Sequence, residues 1–104
     1  MLVEERIYTL YAGKTAEYFK HYEAEGLPVQ KQHLGRMLGY YTTEIGPLNQ
    51  VIHMWGYDSF EDRMKRRDAM RNDPRWAPYL QKIQPLFQHQ ECKLLFPASF
   101  FKPW

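Results

Sequence analysis

The sequence predicts an α+β fold of the ferredoxin-like type, a four-stranded antiparallel sheet with helices on one face. Strand and helix patterns follow one another as β-α-β-β-α-β, with the second helix broken in two. The central strand, Gln50 to Tyr57, is apolar or aromatic on both faces, which is typical of a strand with a layer on each side. A chain of 104 residues has room for one core, so we expect a single domain over residues 1–104.

Composition excludes several classes of protein. The formal net charge is +2 and basic residues alternate with acidic ones, which argues against a nucleic-acid partner. A single cysteine, Cys92, excludes an intrachain disulfide and fits a reducing compartment. No signal pattern opens the sequence, and no apolar run approaches the ~20 residues that a membrane helix needs. We therefore expect a cytoplasmic protein with no membrane partner.

The first half of the chain predicts a strand followed by a kinked helix. Leu2 to Tyr11 is rich in strand-forming residues, and Thr15 is a plausible N-cap for a helix over Ala16 to about Glu25. Pro28 predicts a kink and a short second segment to Leu34, which Gly35 ends. Helical periodicity places an inward stripe on Ala16, Phe19, Glu23 and Leu27.

The middle of the chain predicts an antiparallel hairpin. Met37 to Glu44 is a strand in which Gly39 marks a bulge or close packing, and a loop around Pro47 leads into the central strand. Alternation divides that central strand into two faces. The first face carries Val51, His53, Trp55 and Tyr57, and the second carries Ile52, Met54 and Gly56.

The last part predicts two helical segments, a strand and an aromatic tail. Ser59 has N-cap spacing to Asp62, so a helix should run from there to about Arg71. A further helix is expected over Pro74 to about Gln84, and a fourth strand over Gln88 to Phe96. We expect the tail to dock on the domain. On the first of these helices Phe60 and Met64 are predicted to face inward, with Arg67 and Arg71 on the same side and Met70 at its margin. The apolar residues of the second are Trp76, Leu80 and Ile83.

Helices on one face would leave the second face of the sheet in water. Exposing such an apolar surface is unfavourable by roughly 25 cal/mol per Å². The simplest remedy is a second copy packed sheet to sheet, so we predict a twofold homodimer with a closed, barrel-like interior.

Three runs of sequence resemble a known family: IYTLYAGKTAEY, GYYTTEIGPLNQVIHMWGYDSFEDRMKRR and DPRWAPYL. Together they span nearly the whole chain and are similar to the NIPSNAP family, within the dimeric α/β-barrel superfamily. The resemblance implies the same fold and dimer, but little chemistry, because small members mostly lack an assigned reaction. Related barrels include monooxygenases, isomerases and haem-binding peroxidases, so the fold does not decide the function.

His53 is the leading candidate for chemistry. It lies mid-strand on an aromatic face, where an imidazole could act as base, acid or hydrogen-bond donor to a ligand. The simpler interpretation is a core or interface histidine with one satisfied nitrogen.

Other candidate ligand-binding residues surround it in the sequence. Asn49 could orient a ligand near the end of the strand, although asparagine commonly caps its own turn. Trp55, Tyr8 and Tyr41 could line an aromatic pocket, with core packing as the alternative. Adjacent Tyr40 and Tyr41 must face opposite ways, so only one of them can join a given face.

Glu23 and Arg67 form a second constellation. Each falls on the predicted inward stripe of its helix, and a mutual ion pair would explain two charges in a core. The alternative is that Arg67 extends outward along its stem while Glu23 bonds elsewhere.

No cofactor is predicted. No glycine loop has phosphate-binding spacing and no histidine has a partner at zinc-ligand spacing, while haem ligation by one histidine is left open by composition.

Two functions are compatible with the sequence. The first is a barrel that binds a small aromatic or apolar molecule in a pocket whose polar group is His53. Such a pocket could catalyse oxygenation or isomerisation of that molecule without a cofactor. The alternative is a non-enzymatic dimer that binds another protein.

Overall fold

The computed structural model describes all residues 1–104 and measures 39 × 36 × 19 Å, the shape of a two-layer slab. One layer is a four-stranded antiparallel sheet and the other is helical, as the sequence predicted. The strands are β1 (Leu2–Leu10), β2 (Arg36–Thr42), β3 (Gln50–Tyr57) and β4 (Phe87–Leu95). The helices are α1 (Thr15–His21), α2 (Leu27–Leu34), α3 (Phe60–Arg71) and α4 (Trp76–Ile83), with a π-helical turn over Tyr22–Gly26 and a 3₁₀ turn over Gln84–Leu86.

The strand order in the sheet is β2-β3-β1-β4, and every neighbouring pair is antiparallel. This order confirms the ferredoxin-like fold. Strand β1 is central and pairs with β3 and β4, so its side chains meet those of both neighbours. The register of β2 against β3 shifts between Met37 and Gly39, which confirms the bulge expected at that glycine.

The first helical segment differs from the prediction in which face it buries. Tyr18 and Tyr22 are buried, whereas Glu23 is exposed, so the predicted inward stripe is wrong by about one residue. The tyrosines occupy the inward face because each buries a large ring and still satisfies its hydroxyl. Tyr18 bonds the Tyr40 hydroxyl at 2.6 Å, and Tyr22 donates to Oε1 of Gln30 at 2.7 Å.

The predicted kink before Pro28 is a π-helical turn that joins α1 to α2 without a break. Gly26 closes that turn because no side chain fits there. A Cβ on Gly26 would lie 2.5 Å from the ring of Tyr79 on α4. The glycine therefore permits α4 to pack directly against the turn.

Helix α3 begins as predicted and buries an unexpected face. The Ser59 hydroxyl accepts a 3.0 Å hydrogen bond from the backbone N–H of Asp62, which confirms the N-cap. Phe60 and Met64 are 51% and 37% exposed, so the prediction that they face inward is wrong. The inward residues are Arg63, Arg67 and Met70, because a buried carboxylate on the sheet below requires the guanidinium groups.

The second face of the sheet carries no helix. Ile7, Ile52 and Met54 lie at its centre and are half-buried within the single chain. The tail covers one end of this open face, where Trp104 packs over Gly56 and stacks on Arg36 with 4.2 Å between the guanidinium carbon and the ring centroid. The tail therefore docks in part, since Phe96 and Phe100 remain almost fully exposed.

Candidate functional site

Polar side chains occupy the covered face of the sheet, where apolar ones are the rule. Alternation along β1 directs Glu4, Arg6 and Tyr8 toward the helices, between Leu2 and Leu10. On β3, the residues facing the helices are Val51, His53, Trp55 and Tyr57, each of them fully buried. The face of β3 that carries His53 is therefore the one under the helices.

Glu4 is the centre of a buried charged group that we call the arginine cluster: Glu4, Arg6, Arg63 and Arg67. The Glu4 side chain has no exposed surface, and the arginine side chains are 16%, 13% and 11% exposed in chain order. Arg63 approaches Oε2 of Glu4 with Nη2 and donates to it from Nε at 2.6 Å. Nη1 of Arg6 and Nη1 of Arg67 lie 3.7 and 3.6 Å from the other oxygen, Oε1.

The arginine cluster holds more positive than negative charge. Burial acts to raise the pKa of the Glu4 carboxyl, but the surrounding guanidinium groups outweigh burial and hold that pKa below its ordinary value. One carboxylate therefore faces three guanidinium groups, which leaves two positive charges without a protein counter-charge. Burial and the nearby Arg6 lower the pKa of Arg67.

Several buried polar atoms at this face have no hydrogen-bond partner in the protein. They are Oε1 of Glu4, Nε2 of His53, the hydroxyl oxygen of Tyr57 and Nε of Arg67. Buried polar groups are normally paired, so a concentration of four such atoms marks this region as unusual within the fold.

His53 is held in one tautomer by its neighbour on the strand. The indole Nε1–H of Trp55 donates a 2.8 Å hydrogen bond to Nδ1 of His53. Because an indole nitrogen can only donate, Nδ1 must be unprotonated and the imidazole proton sits on Nε2. Burial, with Arg6 and Arg67, lowers the pKa of His53 to about 3. His53 is therefore neutral near pH 7 and presents an N–H donor.

Aromatic rings enclose His53 on both sides. The ring of Tyr40 stacks on the imidazole with 4.6 Å between centroids, and the ring of Tyr8 meets it edge-on at 4.9 Å. Tyr8 also accepts a 2.8 Å hydrogen bond from Nε of Arg6. Burial raises the pKa values of Tyr18, Tyr22 and Tyr40, so these phenols are neutral at physiological pH.

A cleft of about 460 Å³ opens beside the arginine cluster, and we call it the helix–sheet cleft. Its floor is β1 and β4, and its walls come mainly from α3 and α4. Arg6 and Arg67 reach it from the cluster, and no aspartate or glutamate lines it. The aromatic residues that line it are Tyr8, Tyr18, Trp76, Tyr79 and Phe87. The cleft is large enough for a small aromatic molecule.

The structure brings together four of the residues predicted as a ligand site. His53, Trp55 and Tyr8 lie on the covered face of the sheet, and Arg67 faces them from α3. Of the four, Tyr8 and Arg67 line the cleft, whereas His53 and Trp55 lie outside its lining.

The other three predicted residues lie elsewhere. Tyr41 is 55% exposed on the open face, because it alternates with Tyr40. Asn49 lies in the left-handed region at φ 63°, and its side chain accepts a 3.3 Å hydrogen bond from the N–H of Gly13 in the turn after β1. Glu23 is exposed, and Arg67 pairs with Glu4, so the predicted Glu23–Arg67 ion pair is wrong.

Sequence reasoning missed most of the arginine cluster. The signal was present in β1, where Glu4 and Arg6 have the same alternation as the buried Tyr8. A second signal was the four-residue spacing of Arg63 and Arg67, which puts both on one face of a helix. Charged residues at core positions of two elements indicate that the elements share a buried ionic group.

No group of three histidine, cysteine, aspartate or glutamate side chains could hold a metal ion. None of the helices combines the length and apolar character needed to cross a membrane.

Comparison with known proteins assigns the family. The NIPSNAP family model matches residues 3–102. The chain belongs to the NIPSNAP family. Protein NipSnap homolog 3B of Mus musculus is 35% identical over 103 residues, which cover 97% of this NIPSNAP chain and 39% of the mouse protein. Protein NipSnap of Drosophila melanogaster is 29% identical over 99 residues, which cover 95% of this chain and 36% of that protein. The chain thus spans less than two fifths of the length of these relatives.

Solved NIPSNAP structures superpose closely on this one. A NIPSNAP family protein with unknown function from Agrobacterium tumefaciens is 41% identical with a TM-score of 0.95, covering 100% of this chain and 94% of that one. An uncharacterized NIPSNAP-like domain protein from Burkholderia xenovorans is 47% identical with a TM-score of 0.93, covering 98% and 89%. An antibiotic biosynthesis monooxygenase, 10% identical with a TM-score of 0.67 over 95% of this chain and 100% of that one, shares the fold alone.

Proposed function

We propose that this NIPSNAP protein binds a small aromatic or apolar molecule in the helix–sheet cleft. The cleft carries the proposal: it has a volume of about 460 Å³, and nine of the 15 residues that line it are hydrophobic. Concave sites of this size, apolar with a few polar groups, are the usual form of small-molecule sites.

His53 supports the site from behind the cleft lining, as a neutral ring packed against Tyr8. The reactions considered for the sequence, oxygenation and isomerisation without a cofactor, need a base. A histidine with a pKa of about 3, whose Nδ1 lone pair already accepts from Trp55, is a poor base at neutral pH. Its ring contacts Tyr8, which lines the cleft, so we assign His53 the role of holding Tyr8 and propose binding without a proton transfer at His53.

Blocking the cleft tests the proposal. Ala77 is exposed and lines the cleft on α4, so Ala77→Trp should obstruct it while leaving the core intact. Ala69→Trp is the matched control, because Ala69 is exposed on α3 and lies outside the cleft lining. A panel of aromatic compounds should raise the melting temperature of the parent protein and of the control. Loss of that response in Ala77→Trp supports the proposal, and an equal response in all three proteins rejects it.

A second proposal concerns assembly, the twofold homodimer predicted from the sequence. We propose that the open face pairs with the open face of a second copy. Ile7 lies opposite Ile52 in the register, and Met54 follows on the same face, which makes an apolar stripe. Tyr41 and Leu95 extend it and are 55% and 39% exposed. A stripe of this kind is typical of an interface and lies on the face away from the cleft.

Sedimentation velocity tests the assembly. The parent protein should sediment as a dimer at micromolar concentration, and Ile52→Lys should sediment as a monomer because it places a charge in the stripe. Ala69→Lys, on the helical layer, should remain a dimer. A monomeric parent protein would exclude this assembly.

A further inference from the structure

We propose that the ligand of the helix–sheet cleft is a small aromatic monocarboxylate, bound by the guanidinium group of Arg67 and the Tyr8 hydroxyl, with the positive charge of Arg6 beside them. This inference rests on the proposed function and adds the chemical class of the ligand. It depends on charge, on an unpartnered donor and on the aromatic lining.

Charge is the first argument. Two nitrogens of Arg63 contact Oε2 of Glu4, so these two side chains form a neutral ion pair within the arginine cluster. Arg6 and Arg67 then share the remaining oxygen at 3.7 and 3.6 Å, both longer than a hydrogen bond. Both line the cleft, where no acidic residue opposes them. A buried cation without a counter-charge is unfavourable, so an anion entering the cleft would be attracted to this end.

The unpartnered donor is the second argument. Arg67 is 9% exposed, and its Nε is a buried donor that no protein atom accepts from. Arg6 is better satisfied, because its Nε donates to the Tyr8 hydroxyl at 2.8 Å. That bond leaves the Tyr8 O–H, at the cleft lining, with a proton to donate. A carboxylate has two oxygens that accept hydrogen bonds, which suits one guanidinium group and one hydroxyl.

The lining supplies the third argument. Beyond the arginines, the cleft is lined by Trp76 on its wall and Phe87 on its floor, with Met70 and Ile83 beside them. Rings of this kind pack against an aromatic body in offset or edge-on geometry. A carboxylate suits the polar end because it can accept a hydrogen bond on each oxygen, and its single charge leaves less to desolvate than a phosphate ester does.

Titration calorimetry with matched pairs of compounds tests whether the ligand is an aromatic carboxylate. Benzoate, phenylacetate and naphthoate are titrated into the protein, each against its neutral amide. The acid of the best-binding pair should bind about tenfold more tightly than its amide, the effect expected of charge-assisted hydrogen bonds. Equal affinities for acid and amide would overturn this inference and leave the proposed function standing. Failure of every acid and every amide to bind would overturn both.

Two variants test whether Arg67 supplies the positive charge that binds the carboxylate. Arg67→Met should reduce the affinity for the acid about tenfold, to that of the amide, and leave the affinity for the amide unchanged. Arg66→Met removes the same charge from the neighbouring position of α3, outside the cleft lining, and should bind the acid as the parent protein does. An equal loss in both variants would indicate a general charge effect and overturn the assignment. So would tighter binding of naphthyl phosphate than of naphthoate, which would assign the site to a phosphate ester.

A measurement on the parent protein covers the case in which Arg67→Met does not fold. In nitrogen-15-labelled protein, the Nε–H resonance of Arg67 should move when the acid is added and stay in place when the amide is added. Identical movement with both compounds would overturn the contact between carboxylate and guanidinium group.

Discussion

The indole N–H of Trp55 donates a 2.8 Å hydrogen bond to Nδ1 of His53, and neither side chain has any exposed surface. This one bond decides what the histidine can do. It occupies the lone pair that a general base would need, and it leaves a proton on Nε2. His53, the leading candidate for chemistry in the sequence, is therefore a neutral N–H donor held in one orientation within the core.

The first prediction concerns the tautomer of His53. Nitrogen-15 NMR of the imidazole should show a protonated Nε2 and an unprotonated Nδ1, because Trp55 can only donate to the latter. The spectrum should not change between about pH 5 and pH 8, since the pKa of His53 is lowered to about 3. Titration of the ring near pH 6.5 would contradict the burial and the bond together.

The second prediction is a pH dependence of stability that His53 causes. The folded pKa is about 3 and the ordinary value is 6.5, so between them the unfolded state binds a proton that the folded state does not. The free energy of unfolding should therefore fall as the pH drops below 6.5 and continue to fall until about pH 3. From pH 7 to pH 5 this contribution is about 2 kcal/mol.

His53→Gln isolates that contribution, because glutamine keeps an acceptor for Trp55 and does not titrate. Urea unfolding of the variant should lose about 2 kcal/mol less than the parent protein between those two pH values. The same pH dependence in both proteins would mean that the folded-state pKa of His53 is ordinary.

The third prediction concerns Glu4 in the arginine cluster. Glu4→Gln should lower the free energy of unfolding by about 3 kcal/mol at neutral pH, because it leaves three buried guanidinium groups with no counter-charge. Since the pKa of Glu4 is lowered in the folded state, its stabilisation is present above the ordinary value of 4.5. It is lost as the pH falls through the folded-state pKa.

Glu25→Gln is the control for Glu4→Gln. Glu25 pairs with Lys82 at 2.8 Å on the surface, where such a pair contributes less than about 1 kcal/mol. Equal effects of the two substitutions in urea unfolding would show that the cluster is not an unusually buried ionic group.

The fourth prediction tests the approach of α4 to the π-helical turn. Gly26→Ala should lower stability by roughly 1–2 kcal/mol, because its Cβ would lie 2.5 Å from the Tyr79 ring, which is buried against Trp76. Adding Tyr79→Leu should make the double variant less destabilised than the sum of the single ones. Additive effects in this double-mutant cycle would show that glycine and tyrosine do not interact.

The fold could be predicted from the sequence because its signals are local. The two faces of β3, the cap at Ser59 and the stop at Gly35 are each set by neighbouring residues, and all are found in the structure. The buried faces of the helices were harder to predict. Apolar periodicity favoured Phe60 and Met64, whereas tertiary pairing with Glu4 buried Arg63 and Arg67.

The candidate site could be predicted only in part for the same reason. His53 and Trp55 were found because they stand out in an apolar strand. The arginine cluster was missed because Glu4 and Arg63 lie 59 positions apart, and only the pairing of α3 with the sheet brings them together. Period-two placement of Glu4 with Tyr8 was the signal that could have revealed it.

The three tryptophans allow the most direct test of the proposed cleft. Trp76 lines it, Trp55 lies in the core behind it, and Trp104 packs over Gly56 at the open face. In nitrogen-15 NMR spectra, addition of naphthoate should shift the indole N–H signal of Trp76 and leave that of Trp104 in place. A shift of Trp104 with no change in Trp76 would place the ligand at the tail and contradict the cleft as the binding site.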